Sequence, residues 1–141
     1  MATVIERVEG LAVDLFDAIP SQTSAADRRS LLAVQRATAR RFGRYAYLEI
    51  GSHLGGSIQP HLLDPRCERI FSIDSRPPSQ PDDRSPGYIA RYEGNSTERM
   101  LTLLGKIAPG ATGKLRCFDA DASAVDPAAI HPRPAIAFID A

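Results

Sequence analysis

Apolar positions recur in two rhythms along this chain, and the change from one to the other lays out its elements. Over 1–42 they return at three- and four-residue steps, the period of a helix face. Val4, Ile5, Val8, Leu11, Ala12, Leu15, Phe16 and Ile19 predict an amphipathic helix over 3–18, weakened by Gly10 and ended by Pro20. Ser21-Gln22-Thr23-Ser24 reads as a short linker, with Ser24 as N-cap of a second helix running to about Phe42. Its inward positions are Leu31, Leu32, Val34, Ala37 and Phe42, while Arg28, Arg29, Arg36, Arg40 and Arg41 lie along the rest. That arginine stripe reads as a solvated face, partly paired with Asp27 and other carboxylates, or as a contact for an anionic substrate or partner.

From Tyr45 onward the apolar residues come in short runs of strand length. Tyr45–Ile50, Arg69–Ile73, Lys114–Phe118 and Pro134–Ala141 predict four buried strands. Helical stretches alternate with them. Ser57 to Leu63 forms one, stopped by Asp64-Pro65. Ser96 to Ile107 forms another, with Met100, Leu101, Leu103, Leu104 and Ile107 inward and Pro109-Gly110 as its stop. Asn95 and Glu98 have the spacing of its capping box. Residues 75–87 hold four prolines (Pro77, Pro78, Pro81 and Pro86), which suit a cover over a ligand or a plain surface loop. Tyr88–Tyr92 reads as a short strand or a helix start, and Asp126–Pro132 as a turn. Strand–helix alternation predicts an α/β protein with a Rossmann-like, doubly wound parallel sheet of about four strands, preceded by two N-terminal helices. The organisation is 1–43 as a helical segment and 44–141 as the sheet unit.

The first strand stops at Gly51, and Gly55-Gly56 then opens a helix, so Tyr47 to Ser57 carries the grammar of a nucleotide-binding turn. A dinucleotide turn places glycines as Gly-x-Gly-x-x-Gly. Gly51 and Gly56 fit its ends, but His53 stands at the middle position, where its side chain would crowd a pyrophosphate. Glu49, two residues before the first glycine, suits a ligand with a positive end. Asp74 ends the second strand, 23 residues after Gly51, where a carboxylate reaches ribose hydroxyls in a doubly wound sheet. Asp119 and Asp121 follow the third strand two apart, so in extended geometry they share a face. They read as a metal or catalytic pair, or as loop caps. Asp140 ends the fourth strand.

The pattern Glu-x-Gly-x-x-x-Gly-x-Ser, Glu49 to Ser57, resembles motif I of the class I S-adenosylmethionine (SAM) dependent methyltransferases. The chain from about 45 to 141 is most similar to the N-terminal part of their small O-methyltransferase-like branch, whose fourth strand often reads Phe-Ile-Asp, as in Phe138-Ile139-Asp140. The resemblance implies a SAM site made by Glu49, Gly51, Ser52, His53, Gly55, Gly56 and Ser57, with the methionine end held by Glu49 and Ser57. It implies Asp74 on the ribose and Asp119 or Asp121 near the adenine. At Asp140 it implies a divalent cation such as Mg²⁺ that would orient a substrate hydroxyl. The implied activity is methyl transfer to a small-molecule acceptor. Complete members have about seven strands, so the expectation is a chain truncated at its C-terminus.

Composition trims the alternatives. Seventeen basic residues balance seventeen acidic ones, a global field that favours neither nucleic acid nor an anionic membrane. No apolar run approaches the ~20 residues of a membrane span, and 1–7 lacks the order of a signal peptide. Cys67 and Cys117 are too few for a disulfide framework and read as buried thiols. A soluble cytoplasmic protein is expected, as a monomer or homo-oligomer. His53, His61 and His131 read as loop or helix-surface residues, leaving no general base assigned. The rival readings are a nicotinamide-dinucleotide oxidoreductase and a non-catalytic interaction module.

Overall fold

Thr3 opens helix α1 (Val4–Glu9) through a capping box, its side chain accepting from the Glu6 amide while the Glu6 carboxylate accepts from its own. The computed structural model, which describes residues 1–81 and 87–140, then departs from the single helix predicted over 3–18. Helix α1 stops at Gly10, Leu11 takes a positive φ of 55°, and Val13–Phe16 form one 3-10 turn. Glycine is a poor helix residue, and the break lets Val8, Leu15 and Phe16 close together over Leu32.

Helix α2 (Ala25–Phe42) begins where Ser24 predicts and ends at Gly43, whose φ of 75° suits glycine. Asp27 completes the capping box with Ser24, so it is spent on the helix start and not on an arginine. Much of the arginine stripe is turned inward on the chain itself. Arg28 pairs with Asp17, Arg40 with Glu9, and Arg36 donates to the Glu9 carbonyl, tying α2 to the segment before it.

Strands β1 (Tyr45–Ile50) and β2 (Cys67–Ile73) are joined through α3 (Gln59–Leu63). A hairpin of β3 (Ser79–Pro81) and β4 (Ile89–Arg91) follows, then α4 (Thr97–Ile107), β5 (Leu115–Phe118) and β6 (Ile136–Ile139). The main sheet is parallel in the order β5-β2-β1-β6, an α/β, Rossmann-like arrangement. The chain steps outward from β1 to β2 to β5, then returns to lay β6 on the other side of β1. Such a reversal opens a crevice at the carboxyl ends of the two diverging strands.

Neighbouring residues of β1 and β2 face opposite sides of the sheet, and most are buried, so these central strands are covered on both faces. Strand β6 differs from the buried strand predicted. It is an edge: Ile136 and Phe138 are half-buried, while Ile139 is 68% exposed. The cap of α4 also moves by one residue, since Ser96 accepts from the Arg99 amide, leaving Asn95 for other partners.

His61 corrects the surface reading most sharply. It is buried, stacked on the Tyr47 ring at 3.7 Å, with Nδ1 2.8 Å from the Tyr45 hydroxyl. Burial holds its pKa down at about 3, so it is a neutral core residue. Cys67 is fully buried, its thiol pushed up to about 12, and Cys117 is half-buried. No helix among the described residues is long and apolar enough to cross a membrane.

Candidate ligand site at the sheet crevice

A cavity of about 450 Å³ opens at the carboxyl ends of the strands, at the reversal between β1 and β6. Eight of the residues singled out from sequence line it: Gly51, Ser52, His53, Gly56, Ser57, Asp74, Asp121 and Asp140. Glu49, Gly55 and Asp119 stand outside its wall. Two segments with no motif complete the enclosure. The linker Pro20–Gln22 forms one side, and the hairpin contributes Gln80, Pro81, Ala90 and, just after β4, Tyr92. The proline-rich stretch thus contributes, in its described part, to the cavity wall; 82–86 lie outside the described residues.

Each glycine of the turn is required for a different reason. Gly51 has a φ of 88° and donates its amide to Ile73, fixing the turn to the end of β2. Gly55 also has a φ of 88°, and a Cβ there would sit 3.1 Å from Met100 and 3.2 Å from Leu104. Gly56 makes room for the linker, because its Cβ would meet the Ser21 Cβ at 2.5 Å and the Pro20 carbonyl oxygen at 2.9 Å. Packing within the protein thus accounts for two of the three. The helix predicted to open at the glycine pair starts later, at Gln59, and has only five residues. It provides no extended N-terminus for a phosphate.

Asp74 holds the turn from below. Its Oδ2 accepts from the His53 amide at 2.8 Å and its Oδ1 from the Arg76 amide at 2.7 Å. Each oxygen keeps a further lone pair, so the carboxylate can still meet hydroxyl donors in the cavity. Arg76, which the sequence reading did not single out, locks this arrangement. It has a φ of 59°, and its guanidinium reaches the His53 carbonyl, Asn95 Oδ1 at 3.0 Å and Thr97 Oγ1 at 3.2 Å, while lying 3.7 Å from Asp74. Asn95 in turn donates to the Pro77 carbonyl at 2.9 Å. One side chain therefore joins the glycine turn, the hairpin base and the start of α4. The only local signal was an arginine two residues past a strand-end acid.

Two buried side-chain polar atoms have no hydrogen-bond partner among the described residues: Glu49 Oε2, near the end of β1, and His53 Nε2, in the turn. Glu49 is 1% exposed and sits beneath Gly51 and Ser52, its Oε1 accepting from the Tyr47 hydroxyl at 2.7 Å. Burial raises its pKa to about 7; the Tyr47 and Ser52 hydroxyls pull the other way, and Asp140 and Asp74 push it up further. Burial also lowers the His53 pKa below its ordinary value, and its ring meets Tyr92 edge-on at 5.0 Å.

The remaining acids divide. Asp121 caps a 3-10 turn by accepting from the Ser123 amide, and still faces the cavity. Asp119 accepts from the Thr97 hydroxyl and points elsewhere, so the two do not share a face on the site. Asp140 lines the cavity, with its amide donated to the Ile50 carbonyl. Among the described residues no group of three or more His, Cys, Asp or Glu side chains converges on one point. Among those residues Asp140 has no companion donors of the kind a divalent cation takes.

The wall of the cavity contains Asp74, Asp121 and Asp140 and, among the described residues, no lysine or arginine. With the His53 amide already given to Asp74, the site suits a ligand carrying hydroxyls and positive charge better than a pyrophosphate. No protein-family model matches the chain, and no curated protein or solved structure matches it significantly.

Proposed function

We propose that this chain is a SAM-dependent methyltransferase domain that transfers a methyl group to an oxygen of a small-molecule acceptor. The observation that carries the reading is the acid-lined crevice itself, with Asp74, Asp121 and Asp140 in its wall beside His53, whose buried Nε2 has no partner among the described residues. Native proteins rarely leave such an atom unpaired, so one in the cavity wall points to a polar ligand that satisfies it. The cavity volume, about 450 Å³, lies within the range of small-molecule and cofactor sites. Ser57 would serve the methionine end, Asp74 the ribose and Asp121 the adenine side, with Glu49 buried behind the turn. SAM supplies an electrophilic methyl group on a positively charged sulfur. What the chain contributes is positioning: the turn, held by Asp74 and Arg76, and the linker and hairpin walls would align the reactants and exclude water. Free thiols at Cys67 and Cys117 fit the reducing cytoplasm as its location.

Calorimetric titration with S-adenosylhomocysteine tests the reading, with NAD as control. Binding of the first without the second is expected. Asp74→Asn, shown by its melt to be folded, should weaken that binding about tenfold or more, the scale of a lost charge-assisted hydrogen bond. Binding of NAD at comparable affinity, or none of S-adenosylhomocysteine to the folded chain, would overturn it.

A further inference from the structure

Among the described residues, two of the three non-glycine positions with positive φ stand on either side of one carboxylate: His53 at 50° and Arg76 at 59°. L side chains rarely adopt that conformation, and it persists where the surroundings impose it. Here Asp74 imposes it twice. Its Oδ2 accepts from the His53 amide and its Oδ1 from the Arg76 amide. The Arg76 guanidinium then turns back and donates to the His53 carbonyl, closing a ring through Asp74, His53 and Arg76. The guanidinium is also anchored outside that ring. Nη1 donates to Asn95 Oδ1 at 3.0 Å, Nε to Thr97 Oγ1 at 3.2 Å, and Nη2 lies 3.4 Å from Met100 Sδ. The base of the hairpin and the start of α4 thus fix where it sits, and the Arg76 side chain is 9% exposed.

Asp74 belongs to the wall of the crevice and Arg76 does not. The two amides set the plane of the carboxylate, and each oxygen keeps a further lone pair for a hydroxyl donor. A carboxylate free to rotate loses that freedom when a ligand binds it, whereas one already held loses little. Resting on the reading above, we infer that Arg76 is a positioning residue of the site: without touching the ligand, it holds Asp74 in the orientation that the ligand's hydroxyls meet. Lysine cannot copy the arrangement in full, because one compact ammonium does not reach His53, Asn95 and Thr97 together.

The experiment is a double-substitution cycle, read by calorimetric titration of the full chain with S-adenosylhomocysteine. Arg76→Met keeps much of the side chain's length and removes the guanidinium. In the wild-type background it should weaken binding about three- to tenfold, the scale of ordering one side chain on binding. In the Asp74→Asn background the ring is already broken, and the same substitution should weaken binding less than about twofold. A general loosening of the fold would cost the same in both. A second readout needs no ligand: the His53 amide proton, drawn downfield by its bond to Asp74, should move upfield in Arg76→Met. Arg76→Lys, compared in the same two backgrounds, replaces the methionine variant if that one does not melt cooperatively. Equal losses in the two backgrounds, or a His53 amide resonance that stays in place, would overturn the positioning role and leave the functional reading standing. No binding of S-adenosylhomocysteine by the folded wild-type chain would remove both.

Discussion

Glu49 and His61 lie on neighbouring elements and are buried to the same degree, yet burial moves them in opposite directions on the pH scale. Glu49 has a folded pKa of about 7 against an ordinary 4.5, so the folded chain keeps a proton the unfolded chain has lost. Its contribution to stability is complete below pH 4.5 and is lost as pH rises through 7. For His61 the folded value is about 3 against 6.5, so its contribution is complete above pH 6.5 and is lost as pH falls toward 3. Denaturant melts of Glu49→Gln and wild type at pH 5 and pH 8 separate the two. The variant should gain on the wild type by roughly 2–3 kcal/mol between those pH values, one pKa unit being worth about 1.4 kcal/mol. Parallel profiles would show that Glu49 does not hold its proton. The sequence could place Glu49 and Asp74, because a carboxylate at the end of an apolar run stands out against it. It could not place Arg76 or the burial of His61, since their partners come from α4, the hairpin and β1, and no local pattern announces them.

At the level of elements, the central strands and the bounds of α2 were legible because caps and apolar runs act locally. The inward face of α2 was not: Val34, Ala37 and Phe42 are exposed, and Leu32, Gln35, Thr38 and Ala39 are its buried positions. Nor were the N-terminal break and the edge character of β6, because each depends on what packs against the segment. Gln59 shows how strongly a distant contact can act. Fully buried at the start of α3, its Oε1 accepts from the Ile19 amide at 3.0 Å. Its Nε2 lies 2.7 Å from the Phe16 carbonyl, 3.0 Å from that of Ile19 and 2.9 Å from that of Gly56. The end of the N-terminal segment is thereby stapled to the glycine turn, which brings Pro20–Gln22 to the cavity. Gln59→Leu keeps the volume and leaves the Ile19 amide without its acceptor. A loss of about 2–4 kcal/mol follows from unsatisfied buried groups, with the earliest limited proteolysis falling in 17–24. Gly113→Ala, where a Cβ meets nothing within 4 Å, is the control. A Gln59→Leu melt within 0.5 kcal/mol of wild type, about the scatter of ordinary surface substitutions, would mean that the linker seats itself without the staple.

Across the whole molecule the balanced charges are not evenly spread. Arg7, Arg28 and Arg40 are spent on Asp14, Asp17 and Glu9 within the N-terminal layer, all on or near the surface, where such pairs contribute little, and Arg36 is spent on the Glu9 backbone carbonyl. Of the acids that line the crevice, Asp74 lies 3.7 Å from Arg76, while Asp121 and Asp140 have no ion-pair partner among the described residues. Zero net charge therefore conceals a crevice lined by three acids and, among the described residues, by no lysine or arginine, which composition alone could not reveal. A ligand sulfur that carries a positive charge should feel those acids, and the same ligand with a neutral thioether should not. The ratio of SAM to S-adenosylhomocysteine affinity isolates this effect, because the two share every hydroxyl, ring and amine. Asp140→Asn keeps the side chain's size and removes one charge from the rim. At separations of about 8 Å and an effective dielectric near 20–40, one charge pair is worth roughly 1–2 kcal/mol, so the ratio should fall about five- to thirtyfold while S-adenosylhomocysteine itself changes less. Salt should narrow the difference if the charges act through the open mouth of the crevice. An unchanged ratio in Asp140→Asn would mean that the sulfur lies beyond reach of that rim and that Asp140 serves only the end of β6.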